Sequence, residues 1–71
     1  MKITQQQTEK ILKGSHNFSQ LGFSMMVGRL KGVYAKDPSQ TTVQNAVEEI
    51  NRFLDKFNSI MANDYEIIQK L

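Results

Sequence analysis

The chain has 71 residues, 39% of them hydrophobic and 23% charged, with a net charge of +2 and no cysteine. That length allows one small domain whose core supplies only about 3 to 5 kcal/mol net, with no disulfide to reinforce it. Without cysteine, and with His16 the sole histidine, thiol chemistry and a Cys/His metal cluster are excluded, and the most apolar stretch, Phe18 to Val27, falls far short of the roughly 20 apolar residues that span a bilayer.

The N-terminus, Met1-Lys2-Ile3-Thr4, runs into Gln5, Gln6 and Gln7 and lacks the apolar segment of a signal peptide. With no cysteine either, a cytoplasmic location is expected. The spacing then predicts a short helix over 4–13, with Thr4 and Gln7 as a capping box and Gly14 as its stop. Its only large apolar residues are Ile3, Ile11 and Leu12, so it frays unless it docks on something longer.

A first arm is predicted over 17–36, burying Phe18, Leu21, Met25 and Met26, with Leu30, Val33 and Tyr34 further along. Gly22, Gly28 and Gly32 lie inside it, each costing about 1 kcal/mol relative to alanine. Ser24, Gly28 and Gly32 fall at steps of four and form a smooth strip suited to close helix packing. Its first expected occupant is Phe53 or Phe57 of the second arm; the alternative is a second molecule.

Asp37-Pro38 is the strongest punctuation, because proline pushes the preceding residue out of helical geometry and is itself welcome at a first helical position. Asp37, Pro38, Ser39 and Gln40 read as N-cap, N1, N2 and N3. The second arm, 38–71, carries the clearest pattern. Val43, Val47, Ile50, Leu54, Phe57 and Met61 alternate steps of four and three, flanked by Ala46, Phe53, Ile60 and Ile67. The phase survives to Ile68 and Leu71 despite polar Asp64 on the seam. One continuous helix is therefore favoured, with a weak point at 62–64. The fold class that results is all-α: an antiparallel helical hairpin in a single domain, 1–71, with a short N-terminal helix and a long second arm.

The charge is unevenly divided. Residues 1–36 hold six Lys and Arg against Glu9 alone, and residues 37–71 hold three against six Asp and Glu. A basic arm beside an acidic arm accounts for this, and the same complementarity can steer one molecule onto another.

No catalytic, cofactor-binding or metal site is legible, since no base, nucleophile or carboxylate pair stands in a plausible arrangement. No enzyme activity, cofactor or small-molecule substrate is expected. The run Ser39 to Ile50 is similar to the recognition helix of helix-turn-helix regulators. That resemblance implies a small DNA-binding fold whose Gln40, Thr41, Gln44 and Asn45 face base edges, to which Gln and Asn are suited. The length, the hairpin plan with Pro38 at its turn, and the closing Ile67-Ile68-Gln69-Lys70-Leu71 resemble needle subunits of bacterial type III secretion systems. That likeness implies assembly, and small export chaperones read in the same way.

The leading expectation is a non-catalytic interaction or assembly module, a homo-oligomer or the binder of a partner helix. Its face would be Phe53, Phe57, Ile60, Met61, Tyr65, Ile68 and Leu71, because the first arm offers fewer large side chains to cover that stripe. A second arm continuing past Asn58 would separate this reading from the DNA-binding one.

Overall fold

A computed structural model describes residues 2–71 and contains four helices: α1 (Gln5–Lys13), α2 (Leu21–Lys36), α3 (Gln40–Phe57) and α4 (Ala62–Lys70). Among the described residues there is no strand, so the fold is all-α as the periodicity predicted. α2 and α3 form the antiparallel hairpin, with Phe23 against Phe53 near one end and Asp37 against Thr42 at the other. α1 packs against both, and α4 closes the core through Ile68.

α1 starts where the capping box places it. The Thr4 hydroxyl accepts from the Gln7 N–H at 3.2 Å, and the Gln7 side chain accepts from the Thr4 N–H at 2.8 Å. The segment does not stand alone. Asn51 of α3 brackets Ile3 by accepting its N–H at 2.6 Å and donating to its carbonyl at 3.3 Å, while Gln7 donates to the Ile68 carbonyl at 2.9 Å. Ile3, Ile11 and Leu12 are thereby buried, along with Thr8, whose hydroxyl donates to the Thr4 carbonyl. Docking supplies what a nine-residue helix lacks by itself.

α2 begins at Leu21, four residues later than the sequence predicts. Residues 15–20 are non-helical, and Phe18 reaches the core from that segment, meeting Phe23 edge-on with ring centroids 4.7 Å apart. The buried face of α2 is Phe23, Met26, Val27 and Leu30. Leu21 and Met25, expected inside, are 75% and 67% exposed, and Val33 is exposed as well. Phe18, Met26 and Leu30 are thus inside as predicted, Leu21, Met25 and Val33 are not, and buried Phe23 and Val27 were missing from the predicted face.

α3 is capped by Ser39, whose hydroxyl accepts from the Thr42 N–H at 3.3 Å. Asp37 instead accepts from the Thr42 hydroxyl at 2.8 Å and ends α2. The helix thus starts two residues later than the Pro38 reading placed it. Its inward residues Val43, Ala46, Ile50 and Leu54 are those of the predicted stripe.

The second arm is not one helix. It turns over 58–61, where the Ile60 and Met61 N–H groups both donate to the Phe57 carbonyl at 3.0 Å. Asn58 and Ser59 favour such a turn because their side chains compete with the helical backbone. The turn redirects α4 so that Met61 and Ile68 enter the core.

That redirection also explains Asp64, the apparent flaw in the stripe. Its carboxylate is fully buried and faces the start of α2, accepting from the Ser19 N–H at 2.8 Å, the Ser19 hydroxyl at 3.0 Å and the Gln20 N–H at 3.2 Å. Gln20, at the N-cap position, makes no side-chain cap of its own. Asp64 therefore anchors the entry to α2 from across the fold, accepting the N–H groups of Ser19 and of the N-cap Gln20 and placing its carboxylate near the positive end of the helix dipole. Removing an acceptor from buried donors exposes their full desolvation cost, so Asp64→Ala should lower the unfolding free energy by about 3 kcal/mol, with Asp64→Asn in between. Urea denaturation followed by circular dichroism reads this directly, and an unchanged midpoint would refute the anchor.

Candidate interaction surface

The structure breaks up the partner face predicted from the second arm. Met61 and Ile68 lie in the core and Tyr65 and Leu71 pack half-buried against it, because the turn folds α4 back onto the bundle. None of these four forms a free face. Ile60 is exposed on the turn, and Phe53 and Phe57 are half-buried on α3. Partial burial and then the negative charge of Asp55 raise the Tyr65 phenol above its ordinary pKa, leaving it neutral at physiological pH.

Phe53 and Phe57 instead line an open groove of about 440 Å³ between α2 and α3. Met26 completes its floor, and Arg29, Glu49, Arg52 and Lys56 form its rim. The two rings stack at a tilt with centroids 4.9 Å apart, and the Lys56 ammonium lies 5.5 Å from the Phe57 ring centroid. Arg29 is ion-paired with Glu49, the one salt bridge among the described residues. The expected pairing of a basic with an acidic arm thus comes down to a single contact.

The apolar character continues beyond the groove along α2. Met25 sits one turn before Arg29 and Leu21 one turn before Met25, so all three share a face. Gly28 and Gly32 continue that side. Ser24, Gly28 and Gly32 are exposed, and a Cβ added at Gly28 or Gly32 would meet nothing within 4 Å. The strip therefore does not receive Phe53 or Phe57, as the sequence led one to expect. Phe53 passes Gly22 instead, 3.7 Å from where its Cβ would lie.

A second cleft, of about 710 Å³, is larger but differently made. Its lining is Gln6, Glu9, Lys10, Lys13, Gly14, His16 and Leu71, with Leu71 the one large apolar side chain, and Lys10 donates to the Leu71 backbone oxygen. Volume alone does not mark a site when the walls are long, exposed polar chains.

Of the residues assigned to base contacts, Thr41, Gln44 and Asn45 are exposed on α3. Gln40 is engaged internally, accepting from the Gln5 amide and donating to Glu9. Among the described residues no cluster of His, Asp or Glu could hold a metal ion, and no helix is long and apolar enough to cross a membrane.

No family model, curated protein or solved structure matches this chain. The surface must be judged on its own chemistry.

Leu21, Met25, Arg52 and Lys56 were absent from the face read from sequence. One signal was available: α2 is apolar around most of its circumference, a pattern that marks a helix covered on more than one side. Because a Cβ at Gly28 or Gly32 would meet no neighbour within 4 Å, Gly28→Ala with Gly32→Ala should raise stability by about 1 to 2 kcal/mol in the isolated chain. A fall in thermal midpoint would instead reveal a contact inside the chain that only glycine permits.

Proposed function

We propose that the chain is a non-catalytic protein-interaction module that docks a partner on the α2–α3 groove and the adjoining side of α2. The observation that carries this reading is the continuity of exposed Leu21 and Met25 with the half-buried Phe53 and Phe57 over buried Met26. Large apolar side chains grouped on one side of a small fold, rimmed by charge, are the usual mark of a binding surface. The two unsupported glycines add to it, because their helix cost is not offset by any contact within the chain.

A needle-like assembly draws less support, since the arm it would use is broken at 58–61 and its far end is spent on the chain's own core. The DNA-binding reading keeps one specific observation in its favour. α3 ends at Phe57, as a recognition helix can and a long assembly arm does not, and it leaves Thr41, Gln44 and Asn45 exposed. Against it, α2 and α3 lie side by side along their length rather than crossing as helix-turn-helix elements do.

Site-specific photo-crosslinking in the source cells tests the docking reading. A photoreactive residue at Met25 should give a discrete adduct and one at Gln44 should give none; the reverse pattern, or no adduct at Met25, would overturn it. For the DNA reading, duplex affinity should fall steeply with salt and weaken further in Gln44→Ala/Asn45→Ala. Absence of salt-sensitive binding eliminates it.

A further inference from the structure

We propose that the α2–α3 groove takes an acidic amphipathic helix from another protein. Its apolar side rests on Met26, Phe53 and Phe57, and its carboxylates meet Arg52 and Lys56. The inference rests on the docking reading above and supplies the chemistry of the partner.

The charge around the groove is one-sided. Of its four charged residues, Arg29 and Glu49 neutralise each other. That leaves Arg52 and Lys56, four residues apart and so on one face of α3, with Lys56 held against the Phe57 ring. α2 contributes no carboxylate, because its sequence contains none. Glu48 and Asp55 lie further round α3 and do not line the groove. An apolar floor under two cations that make no salt bridge among the described residues is complementary to a segment carrying large apolar side chains beside Asp or Glu. Two antiparallel helices side by side offer the shape that a third helix fills.

A second copy of the chain does not fit. An isologous contact would bring two copies of the same net-positive rim together, at a like-charge cost. Of the exposed carboxylates, Glu48 and Asp55 stand among Gln44, Asn45 and Arg52, Glu66 stands among Ala62, Asn63, Gln69 and Lys70, and Asp37 accepts from Thr42 at the α2–α3 turn, none of them beside the large apolar residues needed to fill the groove of a neighbour. An anionic membrane is a poorer match too. Helices that lie in a bilayer interface present bulky residues, often tryptophan, to the lipid, whereas this face carries Gly28 and Gly32 and the chain has no tryptophan.

The test uses three synthetic helical peptides of 18 residues, the length of α3, sharing one leucine seam and flanked by Glu, Gln or Lys. By fluorescence anisotropy with the intact chain, the Glu peptide should bind most tightly and the Lys peptide most weakly, a difference of at least about tenfold. Raising the salt should narrow it, and Arg52→Glu/Lys56→Glu should reverse the order. Both cations are exposed, so that variant keeps the fold. Equal binding of all three peptides, each lost in Met25→Asp, would overturn the acidic partner and leave the docking surface standing. Failure of every peptide to bind would remove both. Sedimentation with phosphatidylserine vesicles, or a stable dimer of the chain alone at micromolar concentration, would replace the proposal with a membrane or self-association.

Discussion

The buried carboxylate of Asp64 is the interaction on which the arrangement depends. It lies on α4 but serves α2, holding the backbone of Ser19 and Gln20 and so fixing where that helix begins. A fully buried charge is costly unless its oxygens are well occupied. Three donors surround this one, and no buried side-chain polar atom among the described residues lacks a partner. The contact spans 45 residues of sequence, so it closes only when α4 has folded back and the turn after Phe57 has formed.

The surface follows from that anchor. With α2 held as it is, Phe23, Met26, Val27 and Leu30 point inward, while Leu21 and Met25 point out beside the groove. The apolar residues of α4 are used up in closing the core, and those on the outer side of α2 are left over. The exposed apolar surface therefore falls on a different helix from the one whose stripe is most regular. Charge separates the sides as well: the cations Arg52 and Lys56 border the groove, and Glu48 and Asp55 lie away from it.

Much of the fold was legible because it rests on local rules. The Thr4–Gln7 capping box, the stop at Gly14, the break at Asp37-Pro38 and the inward face of α3 all depend on residues within a turn or two of each other. The errors share a different cause. Leu21 and Met25 were placed inside because α2 has apolar residues on nearly every side, and periodicity cannot choose a face where there is little contrast. Continuity past Asn58 was favoured because the heptad phase is kept, yet a turn of a few residues can preserve phase while changing direction. In the candidate site, Phe53 and Phe57 could be found from spacing alone. Their partners across the groove could not, because they belong to another helix.

The sequence by itself determined that this is an all-α chain, where α1 begins, and which residues of α3 face inward, since hydrogen bonds within a few residues and the 3.6-residue repeat settle those points. The tertiary structure alone decided what Asp64 is for, which side of α2 is covered, and that the free apolar surface lies on α2 and the α2–α3 groove. Those outcomes turn on contacts between residues far apart in sequence, where burial of one face necessarily decides which other face is left to solvent.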